Sequence, residues 1–146
     1  MLSYVNNNGK TYQVEHSFEV MPYFTAGELA CKGTGIIKVD RTLEIHLPLL
    51  RHTWAKPLNI TSGCRTPKHN TAIGGHPNSF HLTENPKYKT GGTAGVDIAW
   101  RTWDHETRLA FIKLAKQLGW NIGVADTFVH VDRGRDYGLT YRKWKY

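Results

Sequence analysis

The chain is expected to fold as a single α+β domain, a small antiparallel sheet flanked by helices. Helical and strand patterns follow one another in mixed order, without the regular β-α-β alternation that builds a doubly wound parallel sheet. Its 146 residues suit one hydrophobic core with some long loops, so residues 1–146 are read as one domain. Hydrophobic residues at 40% and charged residues at 21% match an ordinary globular chain and argue against disorder.

Taken in order, Thr11 to Val20 alternates well enough for a short strand. Thr25 followed by Glu28 reads as a capping box over a single helical turn, which Gly33-Thr34-Gly35 ends. Asp40 to Trp54 reads as a helix capped by Asp40, with Leu43, Ile45, His46, Leu49 and Leu50 near helical spacing. Pro48 inside it predicts a kink or a restart. Lys56 to Gly63 gives a short strand and a glycine turn, and Pro67 to Tyr88 reads as loop. Val96 to Trp100 is a brief apolar strand. Asp104 to Gly119 is the clearest helix, with Phe111, Leu114, Ala115 and Leu118 on one face. Asn121–Val124 and Phe128–Asp132 are expected to pair as antiparallel strands.

No stretch approaches the ~18 apolar residues of a membrane span, and no repeat of solenoid or propeller period is visible. Met1 to Lys10 lacks the apolar run of a signal peptide. Synthesis in the cytoplasm is therefore expected, with any route to a cell wall supplied by something else. Cys31 and Cys64 form no C-x-x-C pair, and reduced thiols are the better expectation in a chain without an export signal. The net charge of +7, from 19 basic and 12 acidic residues, attracts any polyanion. Part of it lies at the C-terminus, where Arg133 and, in the basic aromatic segment 134–146, Arg135, Arg142, Lys143 and Lys145 are interleaved with Tyr137, Tyr141, Trp144 and Tyr146. That mixture suits a nucleic-acid groove, a sugar-binding surface or an ordinary solvated edge, and charge alone does not decide among them.

Three segments concentrate metal-binding groups: Ser79-Phe80-His81, Gly95-Val96-Asp97-Ile98-Ala99 and Phe128-Val129-His130-Val131-Asp132. A catalytic zinc takes three protein ligands and keeps one position open, and His81, Asp97 and His130 offer two nitrogens and one oxygen. Asp97 and His130 sit between β-branched residues on short strands, where an unpaired polar group would cost several kcal/mol. Pairing of Asp97 with His130 or an arginine in a polar core would satisfy the same residues without a metal. Spacing leaves both open.

From Phe24 to Arg133 the chain resembles the M15 family of zinc D,D-carboxypeptidases and endopeptidases, which includes phage endolysins and shares its fold with the hedgehog signalling domain. The resemblance lies in FTAGELACK from Phe24, LNITSGCRTPKHNTAIGG from Leu58, NSFHLT from Asn78, GTAGVDIAW from Gly92 and FVHVDRG from Phe128, in that order. It implies a hedgehog/DD-peptidase-like fold, one Zn2+ ion held by His81, Asp97 and His130, and hydrolysis of peptide bonds in peptidoglycan stem peptides or cross-links. Arg65 matches the family arginine that holds a substrate carboxylate or a polarised carbonyl, a role suited to its forked guanidinium. Asn70 and Ser79 belong to the same motifs and are expected to support substrate binding, with Ser62, His69 and His76 in auxiliary positions. A monomer acting on a peptidoglycan peptide is expected, without a specific nucleic acid partner, reaching the wall after holin-mediated release or as a virion component.

The chain departs from the family pattern twice. Many members carry the general base three positions before the last ligand, where this chain has Thr127, so the candidates are Asp132 and Asp126. Asp132 shares a strand face with His130, whereas Asp126 needs a turn or bulge to reach the site. His81 and Asp97 lie 16 positions apart, and relatives join these ligands by a shorter loop. The insertion, residues 84–91, is expected to border the site and shape substrate entry. Two other readings stand beside the peptidase: a non-catalytic zinc-containing wall- or protein-binding module of the same fold, and a nucleic-acid binder.

Overall fold

The computed structural model describes residues 21–146, together with the backbone of two strands, Leu2–Val5 (β1) and Thr11–Val14 (β2). The strand expected over residues 11–20 is thus present as β2, and residues 15–20 lie outside the described residues. The other elements are α1 (Ala26–Leu29), β3 (Ile36–Ile37), α2 (Arg41–Trp54), β4 (Ile60–Ser62), α3 (Pro67–Ala72), β5 (Gly95–Ala99), α4 (His105–Gln117), β6 (Asn121–Val124), β7 (Phe128–Asp132), a 3-10 turn (Gly134–Tyr137) and β8 (Lys143–Lys145). Strands β1, β2 and β3 form one sheet; the second, in the order β4-β5-β7-β6-β8, carries the core. The class is α+β. The second sheet is mixed rather than purely antiparallel, because β8 runs parallel to β6.

The caps read from sequence are in place. Thr25 and Glu28 exchange the reciprocal bonds of a capping box at α1. The second Glu28 oxygen accepts from the Ile60 amide at 3.1 Å and so ties α1 to β4. Asp40 caps α2 and Asp104 caps α4. Helix α2 runs unbroken through Pro48, without the expected restart. An interior proline costs ~3 kcal/mol. Burial of Leu43, Leu47 and Leu50, at about 2 kcal/mol each, outweighs it. That face also replaces the one read from sequence, since Ile45 and Leu49 are half exposed. Helix α3 was expected as loop. Thr66 caps it through the His69 amide, and Pro67 occupies its first turn, where a missing N–H costs nothing.

Alternation divides the second sheet into two faces. Val96, Ile98, Ile122, Val129 and Val131 are fully buried on one face, in a single cluster with Leu43, Leu47 and Leu50 of α2 and Phe111 and Ala115 of α4. The residues between them in sequence, Asp97, His130 and Asp132, take the other face. The helices thus leave that face free to hold polar groups. Both cysteines are buried free thiols, and burial pushes the Cys64 thiol up to about 11. No helix among the described residues is long and apolar enough to cross a membrane.

Candidate metal centre

Register places the polar residues in one row across the strands. Ser62 of β4 stands opposite Asp97 of β5, Asp97 opposite His130 of β7, His130 opposite Gly123 of β6, and Gly123 opposite Trp144 of β8. Two residues of the row, Asp97 and His130, therefore meet because β5 and β7 are paired in this register and no other. His81 arrives from the loop before β5. Its segment is bound to the chain after β4 by hydrogen bonds from the Arg65 amide to the His81 carbonyl (2.8 Å) and from the Thr83 amide to the Arg65 carbonyl (2.9 Å). The Ser79 hydroxyl accepts from the His81 amide, fixing the turn that aims the ring.

The three side chains are buried and converge on one point. His81 Nε2 lies 3.0 Å from Asp97 Oδ1, His130 Nδ1 lies 2.9 Å from the same oxygen, and the two nitrogens are 3.2 Å apart. A tetrahedral zinc with bonds of ~2.0 Å needs ligand atoms about 3.3 Å apart. The triangle is a few tenths of an ångström tighter than that, so a small outward movement would admit the ion. The remaining ring nitrogens already have partners. The Gly63 carbonyl sits 2.7 Å from His81 Nδ1, and Asp132 Oδ2 sits 2.8 Å from His130 Nε2. With these outer nitrogens donating, the neutral rings would direct the lone pairs of their inner nitrogens at the common point. The donor set, its burial and its outer hydrogen bonds fit a divalent ion of zinc type, and the group can hold a metal.

Without an ion, the electrostatics favour charge on Asp97 and on His130, so a metal entering the group would displace the proton from His130 Nδ1. Burial works to raise the Asp97 carboxyl, but the His81 and His130 imidazoles and their hydrogen bonds outweigh it and hold it well below the usual carboxylate range. Burial holds the His81 imidazole below its usual value, against the pull of Asp97. Burial also acts to lower His130, but hydrogen bonds and charge from Asp132 and Asp97 prevail and raise it to about 9. Arg65 adds a cation at the edge of the group: its Nη2 lies 3.5 Å from Asp97 Oδ2 and its Nε donates to Ser62 Oγ at 3.3 Å. Gly95 makes room on the same face, since a Cβ there would lie 2.9 Å from the Asp132 Cβ and 3.2 Å from His130 Cε1.

A pocket of about 580 Å³ opens over the group. Arg65, Ser79, His81, Asp97, His130 and Asp132 line it, as does His76. Asn70 does not. It is buried on α3 and donates to the His76 carbonyl at 3.0 Å, holding the turn behind the pocket. Asp126 lies exposed in the turn between β6 and β7 and is also absent from the lining, its carbonyl taken by Arg108. Asp132 is buried, with one oxygen on His130 and the other accepting from the Gly134 amide at 2.9 Å. Sequence reading did not place the C-terminal segment in the wall. Arg142, Trp144 and Tyr146 line the pocket, and their i, i+2, i+4 spacing was the available signal of one strand face. From the insertion, Lys87 and Tyr88 reach the pocket. Asn85 anchors that loop by accepting from the Lys87 and Tyr88 amides and donating to the Asn78 and Ser79 carbonyls, and Tyr88 stacks on Phe80 at 4.8 Å.

No curated protein and no solved structure matches the chain. The peptidase M15 family model matches residues 22–132, a span that begins before α1, ends with β7 and includes all three converging side chains. A match of that extent, with a buried His-Asp-His group at its centre, makes the chain a member of the peptidase M15 family.

Proposed function

We propose that the chain is a zinc-dependent peptidase that hydrolyses peptide bonds in bacterial peptidoglycan stem peptides or cross-links, as a phage lysis enzyme would. The observation that carries this reading is the convergence of His81 Nε2, Asp97 Oδ1 and His130 Nδ1 within 3.2 Å of one another, below an open pocket in a peptidase-family chain. Zinc in such a site lowers the pKa of water towards ~7 and polarises a carbonyl. The protein's own residues supply the rest. His81, Asp97 and His130 are the ligands, and the Gly63 carbonyl and Asp132 keep the two rings in the ligating tautomer. Arg65, at the pocket edge, forks onto a substrate carboxylate or onto the carbonyl oxygen as it gains charge. Ser79 supports His81, and Asn70 shapes the turn that carries His76 to the pocket.

Of the two carboxylates nominated as proton acceptor, Asp132 borders the pocket, with both its oxygens engaged. Its role in this reading is to position His130. Asp126 would reach the reacting bond only by rearrangement of the turn at 125–127. The competing reading, a wall-binding module without turnover, shares the fold and the metal but not the products.

Mass spectrometry of purified peptidoglycan after digestion separates the two. New peptide termini should appear, vanish with chelator, return with zinc and be absent for His130→Ala. Failure of zinc-loaded protein to cleave walls of several chemotypes would sink the peptidase reading.

A further inference from the structure

We infer that the C-terminal strand β8 forms a substrate subsite of the pocket, in which Arg142 binds a peptide carboxylate that is not the C-terminal one and Trp144 supports the apolar stem beside it. This rests on the reading of the pocket as a peptidase site.

The strand lies beyond the residues the family shares, since the match ends at 132 and β8 spans Lys143–Lys145. It is nevertheless built into the sheet. The Ile122 amide donates to the Arg142 carbonyl at 3.0 Å, and the Tyr146 amide to the Val124 carbonyl at 2.9 Å. The Arg142 amide donates to Oδ1 of buried Asn121 at 2.9 Å, so the backbone of Arg142 is held on both sides. Period-two alternation then sends Arg142, Trp144 and Tyr146 to the pocket and leaves Lys143 and Lys145 outside it.

Gly123 admits the Trp144 ring. A Cβ there would come within 2.7 Å of that ring and 2.8 Å of Tyr146, so only glycine lets the indole lie over β6. The ring centroid sits 5.5 Å from that of His130, which puts an apolar platform directly beside the candidate metal group. The Arg142 guanidinium rests 5.0 Å over the same indole. Among the described residues no carboxylate pairs with it. Among the described residues that line the pocket, the acidic ones are Asp97 and Asp132, and both are engaged with histidines.

Order across the sheet decides which carboxylate Arg142 would meet. Arg65 follows β4 at one edge, and Arg142 precedes β8 at the other, with β5, β7 and β6 between. Both side chains reach inward, Arg65 to within 3.5 Å of Asp97 Oδ2 and Arg142 onto the Trp144 indole, so the cations are closer than the ~19 Å of four strand spacings. Asp97, His130 and Trp144 stand in line between them, so one carboxylate does not serve both. A stem peptide carries two carboxylates about three residues, or ~10 Å, apart. A substrate lying across the pocket has the reacting bond near the middle, Arg65 on one side and a second, internal carboxylate at Arg142.

The test uses the full-length, metal-free chain, so that binding is read without turnover. The probes are the stem pentapeptide L-Ala-γ-D-Glu-L-Lys-D-Ala-D-Ala and its counterpart with the glutamate α-carboxyl amidated. Binding is measured by calorimetry for every variant and, where Trp144 is present, is also followed through its indole N–H resonance. The free acid should shift that resonance, and the amidated peptide should bind about tenfold more weakly, the loss of one charge-assisted hydrogen bond. Arg142→Gln should weaken the acid about tenfold and leave the amidated peptide unchanged. Trp144→Phe, which keeps a ring, should weaken both peptides equally. Equal binding of the two peptides to the wild type, unaltered discrimination in Arg142→Gln, or an unmoved Trp144 signal would overturn the inference. Cleavage of whole walls by the zinc-loaded protein is scored separately. Binding with discrimination but no cleavage rejects the peptidase reading and keeps the subsite, whereas cleavage without discrimination rejects the subsite alone.

Discussion

Asp40 links three parts of the molecule that are distant in sequence, and its removal is the sharpest test of how the pocket is supported. One carboxylate oxygen accepts from the Thr42 amide at 3.1 Å and from the Thr42 hydroxyl, capping α2. The other accepts from the Gly91 amide at 2.7 Å, at the end of the inserted loop, and from the Tyr137 hydroxyl at 2.6 Å, in the 3-10 turn after β7. Burial and the Asp40 carboxylate together hold the Tyr137 phenol well above its usual value, as expected of a phenol that donates to an anion. In Asp40→Ala the lost cap costs about 1 kcal/mol. Each charged hydrogen bond contributes about 1.5 kcal/mol at the low end. Gly91 is exposed, so water recovers part of that bond. The expected total is about 3 kcal/mol, a large share of a typical stability of 5–15 kcal/mol. For a chain of this length it corresponds to a fall in Tm of roughly 6–12 °C. Urea unfolding of the metal-free protein measures it, with Tyr137→Phe and the double variant completing a cycle whose coupling should be about 1 kcal/mol. A loss below about 1 kcal/mol at unchanged m-value, or a coupling near zero, would refute the argument.

Three other outcomes are expected. Zinc at about a hundredfold over its Kd should stabilise the wild type by ~2.7 kcal/mol, read as a rise in Tm that chelator reverses and His130→Ala lacks. Asp132→Asn should lower zinc affinity by ~10- to 100-fold, because the amide no longer holds His130 with a charge; a fall in kcat at unchanged zinc affinity, measured by competition with a chelating dye, would instead make Asp132 the general base. Cys64, buried and with its thiol pushed up to about 11, should resist a thiol reagent at pH 8 in the folded chain and react only on unfolding.

Local signals in the sequence carried far into this protein. Thr25, Asp40 and Asp104 announced three helix starts because a cap is a contact between residues two or three apart. Phe111 and Ala115 marked the buried face of α4 by their spacing alone, with Leu114 and Leu118 packed at its margin. Motif order singled out His81, Asp97 and His130, and alternation with valine and isoleucine placed the last two on the polar face of the sheet. Helix α3 was also legible in principle, from Thr66 followed by Pro67, although the density of polar residues suggested loop.

Long-range register decided the rest. Pro48 stays within one helix because the sheet receives the leucines of α2, an energy that no window of sequence contains. The wall built by Arg142, Trp144 and Tyr146 exists because β8 pairs parallel with β6 and Gly123 leaves the space. Asp132, preferred on sequence for its strand face, lines the pocket, whereas Asp126 lies exposed in the turn between β6 and β7, outside the pocket lining. Such choices depend on contacts between residues tens of positions apart, whose energies are set by burial and pairing in the assembled sheet rather than by any local propensity.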